Sequence, residues 1–196
     1  MNITISDILI CSTALLELGS RPINSFDEDT EGARLCANLY IPVRDEMLRQ
    51  HPWNFAKKRV HLVPIQDKPA FDFANAFELP ADFIRMIEVN GLREISGVGF
   101  PPGYALEDGK ILADVDAINL RYVYRNSNPA SWDSAFVRLM VLAMKKTLAY
   151  AITRDGPAVA NANQEWLLAL RVAKQTNGLE IPPQQIDGNS FMESRF

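Results

Sequence analysis

The stretch INLRYVY, Ile118–Tyr124, decides the fold class of this chain. Its apolar residues Ile118, Leu120 and Tyr122 alternate with polar ones, a period of two that is typical of a β-strand with one buried face. Towards both ends of the chain, by contrast, apolar residues recur with the period of a helix. The sequence therefore predicts an α+β protein in which strands are inserted between helices.

The strand-like region extends from about residue 51 to residue 128. Residues 58–63 alternate in the same way, and Asp108-Gly109 stands between two apolar runs, which is the strongest short-range signal for a tight hairpin. Prolines divide the region, so we expect short antiparallel strands joined by long loops. These prolines are Pro64, Pro69, Pro80, Pro101 and Pro102.

Two helices are predicted before this region. Ser6 offers an N-cap for the first helix, and Gly19 stands just past its end. Thr30 offers an N-cap for the second helix, which runs to about Gln50. Pro42 falls inside the second helix and removes one backbone donor, so we expect a kink or a short break there.

A third helix is predicted over Ser131–Ile152, with its first residue as the N-cap, and it is apolar on two faces. Such a helix is normally buried on both sides, by its own chain or by a neighbouring subunit. We therefore expect Leu139 and Met140 to lie in a seam between subunits or between domains. Trp53 and Phe55 stand where the second helix gives way to the first strand, and we expect these aromatic residues to anchor the strands to the helices in a seam of the same kind.

The carboxyl-terminal part begins with a fourth predicted helix. Pro157 at its first position opens this helix, and Asn177-Gly178 marks its end. The polar tail that follows, residues 179–196, is interpreted as an extended arm.

These elements divide the chain into four parts. Residues 1–55 and 129–178 are expected to form a bundle of about four helices drawn from both chain ends. Residues 56–128 are expected to form a small antiparallel β domain inserted into that bundle, and residues 179–196 the arm.

Composition limits the classes of function. With 47% hydrophobic and 22% charged residues, the 196-residue chain lies in the ordinary globular range. Its net charge of −4 opposes general nucleic-acid binding, which needs a clustered basic face, and the one basic cluster, Lys57-Lys58-Arg59, is short. No apolar run is long enough for a membrane span and no signal peptide is recognisable, so we expect a cytosol-like compartment.

Catalytic signatures are not recognisable in the sequence. A nucleophile elbow, a Walker loop, a dinucleotide fingerprint and a zinc signature are all missing. His51 and His61 have no thiol, serine or third ligand at a useful spacing, and Cys11 and Cys36 are interpreted as small core residues. We therefore predict no catalytic residue, no cofactor and no metal ligand.

Six short runs follow one another in a recognisable order. They are ALLELG (Ala14–Gly19), INSF (Ile23–Phe26), ARLC (Ala33–Cys36), Arg44-Asp45, HPWNFA (His51–Ala56) and FELPADFIR (Phe77–Arg85). In order and spacing these runs resemble the head-to-tail adaptor, or tail tubular protein A, family of short-tailed bacteriophages. The resemblance covers nearly the whole chain.

The resemblance implies a structural virion protein. Its subunits would form a ring, expected to be dodecameric, with the portal protein above and a nozzle or tail tubular protein B-like protein below. The ring would be assembled in the bacterial host cytoplasm and located at the head-to-tail interface of the virion. Double-stranded DNA would pass through the lumen without sequence-specific binding, and an acidic wall suits that passage because tight phosphate binding would retard ejection.

The resemblance also gives the arm a partner. We expect residues 179–196 to become ordered only on meeting the portal, because apolar side chains stand there in a stretch otherwise too polar to pack on its own. The expected anchors are Phe191, Met192 and Phe196, with Arg195 as a charged partner.

Two other functions are compatible with the sequence. One is a virion-associated enzyme that degrades peptidoglycan, which a zymogram with single alanine changes at acidic residues would reveal. The other is a cytosolic helical binding module, which would stay small even when the portal protein is present.

Overall fold

The computed structural model describes residues 4–93 and 103–180 of the chain. Two helices, α1 (Asp7–Glu17) and α2 (Glu31–Arg49), precede the strands, and two more, α3 (Ser134–Thr153) and α4 (Gly156–Leu179), follow them. The predicted α+β class, with strands inserted between helices from both chain ends, is confirmed.

The described strands form two antiparallel sheets. The larger sheet has the order β1-β7-β3-β4 and the smaller has the order β2-β6-β5. Because β7 lies between β1 and β3, the stretch that predicted the strands occupies the interior of the larger sheet. The strands are β1 (Lys57–Leu62), β2 (Asn75–Glu78), β3 (Phe83–Val89), β4 (Leu92–Arg93), β5 (Tyr104–Glu107), β6 (Lys110–Ala113) and β7 (Ile118–Tyr124).

The amino-terminal ends of α1 and α2 form as the sequence predicts. The side chain of Ser6 accepts a hydrogen bond from the backbone N–H of Leu9, and that of Thr30 accepts one from Ala33. Each bond satisfies one of the four donors that a helix start leaves without an intrahelical partner. Gly19 follows α1 with a φ of 74°, a left-handed conformation that favours glycine.

Pro42 does not interrupt α2, which corrects the expected break. The helix is continuous from Glu31 to Arg49 with Pro42 inside it. Pro42 and Asn38, the residue whose carbonyl loses its intrahelical donor, are both exposed, so water can satisfy that carbonyl.

The start of α3 lies two residues later than expected. Asp133, not Ser131, is the N-cap, and its carboxylate accepts from the backbone N–H of Ala135. Ser131 ends a short 3-10 turn instead, where its hydroxyl donates to the carbonyl of Asn128 over 2.8 Å. The serine was available as a cap, but this local bond holds it in the preceding turn.

The end of α4 also differs from the prediction. The helix continues to Leu179, with Glu180 as its C-cap, so the first residue assigned to the arm belongs to the helix. Gly178 was expected just past the helix, but it is not among the residues with positive φ and therefore does not form a left-handed cap.

The hairpin between β5 and β6 is confirmed. Asp108 and Gly109 have φ angles of 46° and 67°, and the strands continue on either side through the pair Glu107 and Lys110. Positive φ at both central residues is the geometry of the two-residue turn whose twist matches that of the flanking strands.

Two hydrophobic cores meet at the larger sheet. Helix α3 packs against α1, α2 and α4 in the helical core. Ile84 and Val123 extend from one face of the sheet into this helical core, whereas Met86, Leu120 and Tyr122 pack between the two sheets. Neighbouring side chains of a strand point to opposite faces, so β7 lines both cores. In β3 the register shift between Phe83 and Arg85 turns Ile84 to the helical side, although Met86 two residues later packs between the sheets.

Candidate interaction surfaces

An aromatic cluster joins the helices to the strands. Trp53 and Phe55, which the sequence placed at this junction, lie against Phe136 of α3 with ring centroids 4.9 Å and 4.8 Å away. Trp132 closes the cluster at 5.1 Å from Phe136, edge to face. Such pairs add to the free energy gained from burial alone. The cluster thus fixes the start of β1 on the start of α3.

Three of the four proposed seam residues are covered completely by their own chain. Leu139 and Met140 are 0% exposed, and Trp53 is 1% exposed with its Nε1 donating to the carbonyl of Met47. The two apolar faces of α3 are therefore accounted for by α1, α2 and α4 of the same chain. Phe55 is half-buried in the aromatic cluster.

The expected portal-docking residues lie outside the described part of the chain. Phe191, Met192, Arg195 and Phe196 follow residue 180, the last that the structure describes.

The end of α4 is attached to the junction between α2 and β1. Asn54 donates from its backbone N–H to Oδ1 of Asn177 over 2.7 Å, and from its side-chain Nδ2 to the carbonyl of Asn177 over 2.9 Å. Asn177 is itself buried. These bonds position the point at which the chain leaves α4.

His51 takes part in the same attachment. Oδ1 of Asn177 accepts from a backbone N–H, so its Nδ2 faces His51 and donates to Nε2 over 2.9 Å. Burial, and then the positive charges of Lys174, Lys57 and Arg85, lower the pKa of His51 to about 4. The imidazole is therefore neutral at neutral pH and accepts a half-buried hydrogen bond.

His61 contacts the neighbouring strand, and the two cysteines lie in the helical core. Nδ1 of His61 lies 2.9 Å from Oδ1 of Asn119, and Cys11 and Cys36 are free and buried, as the sequence predicted. Within residues 4–93 and 103–180, no three His, Cys, Asp or Glu side chains are grouped so that they could hold a metal ion. Among the helices of those residues, none combines the length and apolarity needed to cross a lipid bilayer.

A groove of about 430 Å³ runs between α1, α3 and α4, and we call it the helical groove. Leu142 of α3 is buried at its base, whereas Leu168 and Val172 of α4 line it with 62% and 49% of their surface exposed. Residues four apart lie on one face of a helix. The outward face of α4 thus presents apolar side chains beside a concave surface.

Four charged side chains lie in the helical groove. Glu17 of α1 pairs with Arg138 and, over 3.4 Å, with Lys145, which also contacts Glu165 of α4 over 2.5 Å. Burial alone would raise the pKa of Glu17, but Arg138 and then Lys145 outweigh it, so the pKa lies below its usual value. The charges balance, and a balanced polar cluster beside apolar side chains is compatible with contact to another protein.

A smaller groove of about 260 Å³ lies further towards the amino-terminal end of α1. Its lining from α1 and α3 is mainly apolar and includes Leu9, Val137 and Val141, and it shares Arg138 with the helical groove. Leu9 is 37% exposed. One side of α1 therefore borders two concave surfaces with apolar side chains.

Sequence reasoning did not identify the helical groove. Trp166, Leu170 and Ala173 recur at helical spacing on α4 and pack against the helical core. The sequence did contain a signal for an exposed apolar surface, because Leu168 and Val172 are apolar and lie outside the buried face of α4. Glu17, however, comes from a helix more than a hundred residues earlier, and only the tertiary fold brings it to α4.

No protein-family model matches this chain, and no curated protein matches it in sequence.

Proposed function

We propose that this chain is a head-to-tail adaptor, a structural virion protein whose copies form a ring that joins a portal to a tail nozzle. DNA passes through the lumen of that ring. The observation that carries the proposal is the helical groove with the exposed apolar face of α4, together with the family resemblance of the sequence. No catalytic residue is assigned.

The apolar side chains of α4 support an assembling protein. Leu168, Val172 and Leu179 are exposed at helical spacing, and Leu179 has 87% of its surface in contact with solvent. Single exposed apolar residues are ordinary, but several on one helix face beside a groove are typical of a protein contact. An interface there would bury them and leave the paired charges at its polar part.

A ring requires a contact between two different surfaces. In a closed ring each copy offers one surface to the next copy and a second surface to the previous one. The helical groove is the first of these in our proposal. Twelve copies are the number that the family resemblance implies.

Electron microscopy of the purified protein, alone and mixed with its cognate portal protein, tests the proposal. We expect rings that dock on the portal, and the double variant Leu168→Glu, Val172→Glu should lose them. Both residues are exposed, so the variant should keep its helices and its thermal midpoint. Ile41→Glu, at a side chain on α2 with 56% exposure, is the matched control.

Three results would distinguish the proposed function from its alternatives. Rings that form equally well with the double variant would overturn the role of the helical groove. A wild-type protein that stays a small particle with the portal present would overturn the adaptor proposal and favour a binding module. Loss of a lytic zone on a zymogram after one acidic residue is changed would favour the enzyme.

Portal docking has its own test. Removing residues 186–196, which lie outside the described part, should leave the helical circular dichroism unchanged and weaken the binding of rings to the portal. Binding at undiminished affinity would refute the docking role of Phe191, Met192, Arg195 and Phe196.

A further inference from the structure

A polar groove of about 670 Å³ crosses one end of the larger sheet, and we call it the sheet groove. It lies on the face of the sheet that carries Arg59 and His61 of β1 and their partners Arg121 and Asn119 of β7. Val123, on the same face of β7, packs into the helical core. The sheet groove is therefore the part of this face that the helices leave uncovered.

Two arginines face each other across the sheet groove. Arg59 and Arg121 are direct partners on neighbouring antiparallel strands. Like charges in this position destabilise a sheet. Arg121 is balanced by Glu88 over 3.2 Å, but among the described residues the guanidinium of Arg59 has no hydrogen bond and no ion pair. The repulsion between the two arginines therefore destabilises the sheet, and no described side chain offsets the charge of Arg59.

The side chain of Arg121 has a second destabilising feature. Its Nε is buried without a hydrogen-bond partner in the described part of the chain. A buried donor without a partner destabilises the folded state, because the group has lost its hydrogen bond to water. Such a feature is retained most readily where the charged side chain serves function, not stability.

The amide groups of the sheet groove are turned so that donors remain available. Oδ1 of Asn90 accepts from the backbone N–H of Asn119 over 2.8 Å, which fixes the orientation of the Asn90 amide. Oδ1 of Asn119 lies 2.9 Å from Nδ1 of His61. Both amide oxygens are thus engaged within the protein. Their Nδ2 groups join the guanidinium of Arg59 as donors, so the groove is suited to an oxyanion.

We propose that the sheet groove binds the phosphodiester backbone of a nucleic acid without reading its sequence. This inference rests on the proposed function, in which DNA passes the protein, and it assigns the contact to Arg59, Arg121, Asn90 and Asn119. Arginine and asparagine side chains are common donors to phosphate oxygens.

A protein partner is less well matched to the sheet groove. Protein interfaces usually have an apolar centre. The apolar residues that line this groove, such as Val60 and Leu120, are half-buried or buried, and none is among the exposed large hydrophobic residues of the described chain. A phosphate backbone needs charge and donors and no apolar contact.

Protection of a sheet edge explains only part of this cluster. Cations on an edge strand prevent unwanted pairing with another strand, and β1 is an edge of the larger sheet. That role would account for Arg59 and His61. It does not account for Arg121, because β7 has a neighbour on each side.

The expected contact is weak. Because Glu88 already balances the charge of Arg121, about one phosphate is neutralised, by Arg59. This gives a slope of about −0.9 for the logarithm of the affinity against the logarithm of the salt concentration. With a net charge of −4, the rest of the chain adds no strong attraction. Such a contact would guide DNA past the protein and release it easily.

Nuclear magnetic resonance of the full chain, labelled with 15N, tests the assignment. A 20-base-pair duplex of arbitrary sequence is titrated at several salt concentrations, and inorganic phosphate is titrated separately. We expect signals of Arg59 Nε and of the Asn90 and Asn119 side-chain amides to shift with the duplex, equally for unrelated sequences. Arg59→Gln should weaken binding and reduce the salt slope by about 0.9.

Arg171→Gln, at an exposed arginine on α4, is the matched control and should leave binding unchanged. Shifts that avoid the sheet groove, no detectable shifts at low salt, or equal effects of the two variants would overturn the inference. Saturation by inorganic phosphate as tightly as by the duplex would overturn the assignment to a nucleic-acid strand.

Ring formation distinguishes this inference from the function on which it rests. Arg59→Gln should form rings as the wild type does, because the residue is outside the helical groove. Rings without duplex binding would remove only the present inference, whereas the absence of rings in every protein, with the portal present, would remove the proposed function.

Discussion

Asn177 donates a hydrogen bond to Nε2 of His51, 126 residues earlier in the sequence, over 2.9 Å. This hydrogen bond can form only while Nε2 is unprotonated, because protonation would place two donors opposite each other. The end of the last helix is thus attached to the chain between α2 and β1 by a group that can titrate.

Stability should therefore depend on pH through His51. Its pKa is lowered from 6.5 to about 4 in the folded chain, so between these values the unfolded chain binds a proton that the folded chain does not. The contribution of His51 to the free energy of unfolding is therefore complete above about pH 6.5. It is lost as the pH is lowered towards 4. Urea unfolding at pH 7.5, 5.5 and 4.5 measures this fall.

His51→Gln should flatten that dependence, because glutamine can accept a hydrogen bond but does not titrate. Asn177→Ala, which removes the donor, should lower stability at pH 7.5 as well. An equally steep loss between pH 6.5 and 4.5 in His51→Gln would show that another group is responsible.

Burial predicts a large loss of stability for one apolar residue and a small one for another on the neighbouring helix. Met140 of α3 is 0% exposed, so Met140→Ala should lower the free energy of unfolding by about 2–5 kcal/mol. Leu168→Ala on α4, at a side chain with 62% exposure, should change it by less than about 0.5 kcal/mol. Urea unfolding of both variants decides, and equal losses would contradict the packing of α3 at the centre of the helices.

Two glycines should respond oppositely to alanine. Gly109 has a φ of 67° in the hairpin turn, so Gly109→Ala should cost about 1–2 kcal/mol. Gly178 lies in α4 without a positive φ, and a Cβ there would meet nothing within 4 Å, so Gly178→Ala should stabilise by up to about 1 kcal/mol. Thermal unfolding of the two variants measures both signs, and a stable Gly109→Ala would count against the turn.

Hydrogen exchange should separate the inner strand of the larger sheet from its edge. Residues 120–123 of β7 pair with a strand on either side, so their amides should exchange slowly, whereas β1 should show alternate protected and unprotected amides. Exchange of Ile118–Tyr124 at unfolded-chain rates would mean that the strand assignment is wrong.

Features set by neighbouring residues were predictable from the sequence. The caps at Ser6 and Thr30 and the turn at Asp108-Gly109 depend on contacts within a few residues, and all three are confirmed. The start of α3 was missed because Ser131 and Asp133 are both good caps, and only the bond of Ser131 to Asn128 decides between them.

Features set by strand register or helix packing were not predictable. The opposition of Arg59 and Arg121 depends on the pairing of two strands about sixty residues apart, and a shift of one residue would remove it. The helical groove likewise needs Glu17 beside α4, which no local pattern can indicate. Both candidate surfaces are therefore products of tertiary structure.

The placement of the strands between α2 and α3 also orders events during synthesis on the ribosome. Helices α1 and α2 emerge first, but α3, which covers Leu15, Met47 and Leu48 in the helical core, follows only after roughly 80 further residues. At ordinary translation rates the delay is roughly 4 to 16 s. During this interval the two sheets can fold against each other, while the apolar faces of the first helices stay accessible to chaperones and to other nascent chains.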